Sequence, residues 1–519
     1  MRPGKRLGGL VLAAGIALSF LTALRVVRGD DGPAGGRPNV LMIVVDDLRD
    51  DIGCFGNPLA KTPNIDRLAA RGMIFDRAYC QQAVCSPSRT SLLTGRRPDV
   101  TRVWDLKTHF REAIPDCVTL PQRFREAGYH CAALGKVYHR GYEDGRSWSE
   151  PHWYPNGKTV DTDPDDWTKQ IDRKHGKGVD EYAEDTIRNG SGKGPAFEVS
   201  AKADDELPDG STAAEAVRRI AAFGRDRRPF FLAVGFLKPH LPFVAPKPYW
   251  DLHDPDALPR PRRDRLPDDA PGFAGHGNGE LHQYAGIPPG NPIPADLART
   301  LRHGYYACVS YTDAQIGRLL EALDRERLAD DTIVVLWGDH GWQLGEHGLW
   351  HKHTNFERAT RAPLVIAAPG VGPVGRTCSA PVEYVDVYPT LVDACSLTPP
   401  AGLAGTSLLP LLRDPSGSVK PVAVSQYPRK AGDGAGVALM GYSVRDDRWR
   451  LTVWREDGTA REVARELYDE RDDPDETRNV VSEPRHAAVV ARLSKHLPPP
   501  GPRFAKASGK GASKRERDE

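Results

Sequence analysis

The feature that most constrains the fold is an alternation of short apolar runs with segments of helical character. The run Asn39–Val45 (NVLMIVV) is continuously apolar and rich in β-branched residues, which is typical of a strand covered on both faces. Thr62 and Pro63 then suit the cap and the first position of a helix over 62–71. The alternation continues with strands predicted at Tyr129–Leu134, Pro229–Phe236 and Thr332–Trp337 and helices at Leu120–Ala127, Ser211–Phe223 and Tyr305–Arg325. This order predicts an α/β fold in which a mostly parallel sheet is sandwiched by helices.

With 519 residues, the chain is long enough for more than one folding unit. We expect a main α/β domain over 37–407 and a smaller α+β subdomain over 408–497 with an antiparallel sheet, because short strand-like runs and turns dominate after residue 408. Residues 498–519 are rich in Pro, Gly, Lys and Arg and are predicted to be a disordered tail. The polar stretch 141–209 interrupts the α/β pattern and is expected to shape a binding site.

The first residues have the pattern of an export signal. A basic segment with Arg2, Lys5 and Arg6 precedes the apolar run Leu7–Leu24, and a Gly-rich exit follows. We interpret residues 1–30 as a signal peptide, with a membrane anchor as the alternative because a spanning helix needs about 20 apolar residues. The first interpretation predicts an exported protein, periplasmic or extracellular, with no stable membrane insertion after cleavage. The net charge of only +1 argues against a nucleic-acid partner.

Acidic and basic side chains follow four of the predicted strands at the point where each strand ends. In open α/β sheets, ligands bind beyond the carboxyl ends of the strands, so these side chains are expected to meet at one edge. The residues concerned are Asp46 and Asp47, Lys136 and His139, Lys238 and His240, and Asp339 and His340.

The aspartates of this edge predict a metal site. One Asp pair after a strand is a weak signal, because such residues often cap the next helix. Asp46, Asp47 and Asp339 together would repel one another unless a cation neutralised them, and an oxygen-rich set favours Ca²⁺ or Mg²⁺. His340 would contribute a nitrogen ligand to an otherwise all-oxygen set. Alternatively, its ring lines the site and is held by hydrogen bonds.

The segment Cys85-Ser86-Pro87-Ser88-Arg89 predicts a reactive group at the start of a helix. Pro87 suits a first helical turn and the following TSLLT continues it, so Cys85 should lie at the helix N-terminus, where backbone N–H groups favour negative charge. Arg89 lies one turn later and leans back toward an anion bound at Cys85. A structural cysteine before a helix is the alternative.

These residues resemble a known family. CSPSR followed by LLTGR is similar to the sulfatase signature Cys-x-Pro-x-Arg with its Thr-Gly-Arg extension, in which a separate maturation enzyme oxidises the cysteine to formylglycine. The resemblance extends from about Asn39 to Leu409 and is closest to the iduronate-2-sulfatase type. It rests on NVLMIVVDDLR, TPNIDRLAARG, QQAVCSPSRTSLLTGRRPD, GKVYH, FLKPHLPF, WGDHGWQLGEHGLWHK and EYVDVYPTLVD.

The resemblance implies an alkaline-phosphatase-like fold and two sets of site residues. One set would bind Ca²⁺ and consists of Asp46, Asp47, Cys85, Asp339 and His340. The other would form the sulfate pocket and consists of Arg89, Lys136, His139, His240 and Lys352. Many other sulfatases have Asn or Gln where this chain has His340, and the His fits the iduronate type.

The resemblance also implies a mechanism and a substrate class. A hydrated formylglycine at Cys85 would attack sulfur, with His240, or Lys352 as the second candidate, protonating the leaving oxygen and His139 assisting release of sulfate. The expected substrate is a sulfated carbohydrate. Two alternatives stay open, a phosphoester hydrolase of the alkaline phosphatase superfamily and a non-catalytic glycan-binding protein.

Overall fold

A sheet of nine strands forms the centre of the part of the chain that the structure describes, which comprises Met1 and residues 36–160, 193–430 and 436–504. In this computed structural model the strands are β1 (Asn39–Val45), β2 (Met73–Phe75), β3 (Ala78–Tyr79), β4 (His130–Gly135), β5 (His152–Tyr154), β6 (Lys158–Val160), β7 (Lys193–Pro195), β8 (Phe197–Ser200), β9 (Phe230–Phe236), β10 (Phe243–Pro246), β11 (Tyr284–Ala285), β12 (Thr332–Gly338), β13 (Gln343–Leu344), β14 (Trp350–His351), β15 (Leu364–Ala367), β16 (Arg376–Cys378), β17 (Val382–Glu383), β18 (Ala423–Lys430), β19 (Ala438–Arg445), β20 (Trp449–Glu456) and β21 (Glu462–Asp469). The α-helices of the described residues are α1 (Pro63–Ala70), α2 (Cys85–Thr94), α3 (Pro98–Thr101), α4 (Leu120–Glu126), α5 (Pro208–Asp226), α6 (Lys247–Trp250), α7 (Ala295–Arg325), α8 (Glu357–Thr360), α9 (Val387–Ala394), α10 (Leu409–Arg413) and α11 (Ala487–Ser494).

The four strands that were predicted to carry the site are neighbours in the large sheet. The strand order is β16-β2-β15-β12-β1-β9-β4-β5-β6, and β12, β1, β9 and β4 are mutually parallel. Val45, the last residue of β1, is in register with Gly338 on one side and Phe236 on the other. Their carboxyl ends therefore lie at one edge, and the prediction of a mostly parallel sheet is confirmed.

Helices cover both faces of the sheet. Leu41, Ile43 and Val45 point to one face, where they join a core formed with α1, α5 and α7. Val40 and Met42 alternate to the other face, with its core of α2, α4 and α9. All seven residues of β1 are buried, as expected for a strand whose apolar run shows no polar alternation.

The C-terminal part contains the predicted antiparallel sheet, in the order β18-β19-β20-β21, packed against α11. The sequence predicted three of these strands and missed β21, whose residues are partly exposed and charged. This sheet contacts the approach to α2, because Ser425 Oγ donates to the carbonyl of Cys80 at 2.6 Å and Gln426 N donates to that of Gln81 at 2.8 Å.

Two local predictions were wrong in detail. Thr62 precedes α1 but its side chain does not cap it; instead Asp313, on α7, accepts the N–H groups of Asn64 (3.1 Å) and Ile65 (2.8 Å). Helix α7 begins ten residues before the predicted Tyr305, since Pro294 suits the position before its first turn.

The predicted disordered tail is also partly ordered. Within 498–519, the peptide N–H of Gly501 donates to the Tyr442 hydroxyl at 3.0 Å, and that of Phe504 to Asp457 at 3.0 Å. Residues 505–519 lie outside the described residues.

Three other predictions reach beyond what the structure describes. Nearly all of the predicted signal peptide (1–30) falls within 2–35, outside the described residues. The stretch 141–209 is described except for 161–192, and its strands β5 and β6 extend one edge of the large sheet. Among the described residues, no helix has the length and apolar character needed to cross a bilayer.

Candidate active site

Helix α2 brings Cys85 to the carboxyl edge of the sheet. The helix begins at Cys85, after Val84 in an extended conformation, and Pro87 lies in its first turn. The Cys85 Sγ lies 3.4 Å from His340 Nε2. Ligand atoms of Cys85, Asp46, Asp339 and His340 all lie within 4.8 Å of one another, so the structure brings these predicted residues together.

Burial outweighs any expected effect of the helix N-terminus on the thiol. Burial raises the pKa of Cys85 well above its ordinary value, and the neighbouring charge of Asp46 raises it further. Lys352 and Lys136 oppose this shift without reversing it. An unmodified thiol at this position therefore holds its proton at neutral pH and is a weak nucleophile.

Arg89 lies one turn after Cys85 and is fully buried. Its Nη2 pairs with Asp46 Oδ1 and its Nε with Asp339 Oδ2, each at 2.9 Å. Its Nη1 donates to the carbonyl oxygens of Lys136 and, at 3.2 Å, Val137. The guanidinium thus holds two of the predicted metal ligands in place, and its expected direct contact with sulfate stays a prediction.

Asp46 and Asp47 are adjacent in sequence but opposite in proton affinity. Burial would raise the pKa of Asp46, but the charges of Lys136 and Arg89 hold it well below its ordinary value. Lys136 Nζ lies 2.6 Å from Asp46 Oδ2. Burial raises the pKa of Asp47 well above its ordinary value, with Lys352 opposing and the charge of Asp46 adding to the rise. A divalent cation at Asp47 would supply the positive charge that this carboxylate lacks.

His340 is oriented as a metal ligand. Its Nδ1 lies 3.0 Å from the carbonyl oxygen of Gly341, which assigns the proton to Nδ1 and leaves the Nε2 lone pair facing Asp47 Oδ1 (3.4 Å) and Asp339 Oδ2 (3.6 Å). Two ligands at right angles around an ion with bonds of ~2.4 Å lie roughly 3.4 Å apart. The imidazole of His340 and the carboxylates of Asp47 and Asp339 have a spacing that fits a single hard divalent cation. Asp46 has a ligand atom within 4.8 Å of those of Asp339 and His340.

Lys352 and His240 face the same centre from the other side. Lys352 Nζ lies 3.2 Å from Asp47 Oδ1 and 4.9 Å from the centroid of the Trp342 ring. His240 Nε2 lies 3.6 Å from Asp47 Oδ2, and its Nδ1 is 2.6 Å from the carbonyl oxygen of Leu241. Both residues therefore border the carboxylate cluster, and their expected part in a sulfate pocket stays a prediction.

His139 follows β4, as predicted, and is half-buried. The contact described for its ring is with Tyr142, at 6.2 Å between centroids. Its assigned part in the reaction stays a prediction. Lys238, from the same set of strand-end residues, donates from Nζ to the carbonyl of Pro242 at 2.8 Å, which is a structural role.

Sequence reasoning missed Glu280. Its Oε1 lies 2.9 Å from Lys352 Nζ and 3.1 Å from His240 Nε2, so this carboxylate joins two residues of the expected sulfate pocket. With His351 and His353, Glu280 also forms a second group whose ligand atoms lie within 4.8 Å of one another. The irregular stretch around Glu280 carries no motif, and its Pro- and Gly-rich character was the only signal.

Comparisons with known proteins agree with this geometry. The family model described as Sulfatase matches residues 38–397, and that described as N-sulphoglucosamine sulphohydrolase, C-terminal, matches 345–499. The chain is 33% identical to iduronate 2-sulfatase of Mus musculus, over 88% of this chain and 93% of the relative. It is 34% identical to iduronate 2-sulfatase of Homo sapiens, over 87% and 91%. Phosphonate monoester hydrolase from Silicibacter pomeroyi has a similar solved structure, with a TM-score of 0.67 and 26% identity over 89% of this chain and 94% of that one.

Proposed function

We propose a mechanism and a substrate class for this chain, which belongs to the sulfatase family, has its alkaline-phosphatase-like fold and hydrolyses sulfate esters. The proposed enzyme is an exported sulfatase of a sulfated carbohydrate that uses one Ca²⁺ and a formylglycine made from Cys85. The observation that carries this proposal is the position of Cys85 at the start of α2, with Sγ 3.4 Å from His340 Nε2 at the aspartate cluster.

A formylglycine at position 85 resolves a chemical difficulty. As a thiol, Cys85 is buried beside Asp46, and its raised pKa makes it unsuited to attack an anion. Hydrated formylglycine would supply a hydroxyl nucleophile, and Ca²⁺ held by Asp46, Asp47, Asp339 and His340 would lower that hydroxyl's pKa.

The surrounding cations would position the sulfate ester. Lys352 faces the centre from one side, and Lys136 lies against Asp46 on the other. Arg89 fixes the aspartates, so that the charges of the pocket are preorganised before substrate binds. A donor in such a pocket contributes on the order of 3 kcal/mol to transition-state stabilisation.

His240 is the proposed proton donor to the leaving oxygen. The contact of Nδ1 with the Leu241 carbonyl fixes Nε2 as the atom that exchanges a proton with substrate. Burial and the charge of Lys352 lower the pKa of His240 to about 3 in the free enzyme. A bound sulfate ester adds negative charge beside the ring and raises this pKa, which lets His240 carry the proton. Lys352 stays the second candidate and His139 the proposed aid to sulfate release.

The proposed substrate is a sulfated saccharide. The relatives described above carry the name iduronate 2-sulfatase, and one matching family model is named for a sulphoglucosamine sulphohydrolase. A sugar of the uronic-acid-bearing type, attacked at a sulfate ester, is the first substrate to test. The likeness to a phosphonate monoester hydrolase supports one competing activity, so phosphonate and phosphate monoesters belong in the same panel.

Export is proposed from the N-terminal pattern alone. Passage out of the cytoplasm would follow modification of Cys85 by the maturation enzyme, and the signal would then be removed. N-terminal sequencing of the exported protein tests this: a mature chain that begins after the Gly-rich exit supports a signal peptide, whereas an intact Met1 in the membrane fraction supports an anchor.

Peptide mass spectrometry tests the nucleophile directly. Trypsin should release the peptide 78–89 (AYCQQAVCSPSR), which carries Cys80 and Cys85 together. After co-production with a formylglycine-generating enzyme and alkylation, we expect Cys80 to be alkylated and residue 85 to have the mass of formylglycine. Cys80 is an internal control because it is also buried. Alkylation of both cysteines in fully active enzyme contradicts the proposed nucleophile.

A further inference from the structure

Arg302 is a buried cation that lacks a partner. It lies on α7 and is only 7% exposed. No hydrogen bond or ion pair joins its guanidinium to any residue within 36–160, 193–430 or 436–504. Arg299, one turn earlier on the same helix, instead pairs with Asp256 at 2.7 Å. A buried guanidinium without a counter-charge is costly in a folded protein, which raises the question of what neutralises it.

Arg302 lines an open cavity of about 310 Å³. This volume is at the lower end of the range for small-ligand pockets, roughly 300 to 1,000 Å³. Arg260 also lines it, and no acidic partner of Arg260 is found among the residues that the structure describes. The cavity is separate from the centre at Cys85, although Arg49, only two residues after Asp47, is part of its wall.

The acidic residues of the cavity wall are already paired with other arginines. Asp51 and Glu346 both bind Arg49, at 3.0 Å and 2.9 Å. Asp475 lies 3.5 Å from Arg262. No direct ion pair joins these wall carboxylates to Arg302 or Arg260 in the part of the chain that the structure describes.

The electrostatic environment of the Arg302 guanidinium favours binding of an anion. Burial lowers the pKa of the Arg302 guanidinium; Glu346 opposes this and the positive charge of Arg260 adds to it. An anion bound between the two arginines would reverse these effects, since a guanidinium binds an oxyanion through two parallel hydrogen bonds.

We propose that this cavity binds a sulfate group, held between Arg302 and Arg260. The anion site itself follows from the two arginines, whereas the choice of sulfate over other oxyanions rests on the proposed function. The group comes either from free sulfate released by the reaction or from a sulfate ester on a saccharide. In both cases the ligand occupies a second position, apart from the sulfate that is hydrolysed.

Thermal unfolding of the full mature chain tests the site. Arg302→Met removes the charge and keeps much of the side-chain length, and Arg299→Met is the matched control on the exposed side of the same helix. Without sulfate, Arg302→Met should unfold at or above the wild-type temperature, because an unpaired buried charge has been removed. Inorganic sulfate should stabilise the wild type and Arg299→Met more than Arg302→Met. The contribution of the sulfate pocket near Cys85 is common to all three proteins and cancels in this comparison.

Calorimetric titration gives the affinity and distinguishes the source. Loss of one charged hydrogen-bonding partner should weaken binding of sulfate at the second position roughly ten- to hundredfold. Titrations with inorganic sulfate, inorganic phosphate and a non-hydrolysed sulfated monosaccharide separate a free-ion site from a saccharide subsite. Arg260 is on the exposed side of the cavity, and Arg260→Gln should likewise weaken sulfate binding. This variant replaces Arg302→Met in the test if Arg302→Met fails to fold.

Equal stabilisation of all variants by sulfate would overturn the anion site. Turnover of 4-nitrophenyl sulfate is measured on the same samples, so failure of this site is distinguishable from failure of the proposed function. A smaller stabilisation of Arg302→Met than of the wild type by sulfate, with normal turnover, supports the second site. Turnover of the wild type without any variant-dependent sulfate effect rejects it.

Discussion

The substitution Arg89→Lys should show whether Arg89 contributes to folding stability alone or also to catalysis. Arg89 spans Asp46 and Asp339 with two nitrogens, each at 2.9 Å, while a third nitrogen binds main-chain carbonyls. A lysine has one donor nitrogen and cannot span both carboxylates, so at least one of these two buried ion pairs is broken. Breaking a buried ion pair in this way costs about 3 to 5 kcal/mol of folding free energy.

Arg111→Lys provides a control for that loss of stability. Arg111 is also buried and binds Asp144 in a bidentate manner, at 2.6 Å and 2.8 Å. Its guanidinium otherwise donates to Gln122 and to the carbonyl oxygens of Pro115 and Cys117, none of which is a candidate site residue. The two substitutions should therefore lower the free energy of unfolding in urea by similar amounts. Their effects on catalysis should differ, because only Arg89 holds the proposed metal ligands.

The assay is turnover of 4-nitrophenyl sulfate, normalised to the folded fraction from circular dichroism. For Arg89→Lys we expect kcat/KM to fall by about 10²- to 10³-fold, the effect of disturbing one element of a preorganised pocket. For Arg111→Lys we expect kcat/KM per folded molecule to be unchanged. If both variants lost activity equally, or if Arg89→Lys retained it, the assignment of Arg89 to the site would be wrong.

Three further outcomes follow from the structure. Exhaustive chelation should abolish turnover and Ca²⁺ should restore it, because burial and the charge of Asp46 raise the pKa of Asp47 although Lys352 lies beside it, and a cation would hold this carboxylate ionised; full activity in a protein shown to be metal-free would refute the metal site. Asp313→Ala should lower the free energy of unfolding by about 1 to 3 kcal/mol, since two N–H groups of α1 lose their acceptor, with activity per folded molecule unchanged. Burial, together with the charge of Glu357, raises the pKa of Glu470 to about 7. The folded state therefore binds this proton more tightly than the unfolded state does, and the stabilisation by protonated Glu470 is lost as the pH rises from 4.5 to about 7. Unfolding of Glu470→Gln over that range should show a smaller decline with pH, and identical slopes would contradict the assignment.

The parts of the fold that sequence could predict depend on local information. A continuously apolar run such as Asn39–Val45 needs no knowledge of its partners to be identified as a buried strand, and the structure places β1 at those residues. Because parallel strands end at a common edge, the positions after the strands also predicted that the three aspartates would meet His240 and His340, whereas Lys238 from the same set contacts the carbonyl of Pro242. Cys85 joined them because Pro87 marks the start of a helix.

Three of the missed features depend on contacts between distant segments. Glu280 reaches Lys352 across 72 positions of sequence, from a stretch without periodicity. Asp313 replaces the expected Thr62 cap from 249 residues away, and Gly501 is held by Tyr442 although its surroundings have the composition of a disordered tail. Composition and periodicity describe only a residue's own neighbourhood, so they carry no information about such partners.

The unequal environments of the two adjacent aspartates link the fold to the chemistry. Asp46 is neutralised by Lys136, which directly follows β4, and by Arg89 of α2, so its charge is fixed by the scaffold before any metal or substrate arrives. Asp47 shares Lys352 with Glu280, and its carboxylate is the one that a bound cation would stabilise most. A cation there would in turn free Lys352 to contact a substrate anion. In the proposed mechanism the two carboxylates would therefore divide two tasks: Asp46 would hold the helix of Cys85 in place, and Asp47 would make the sulfate pocket depend on the metal.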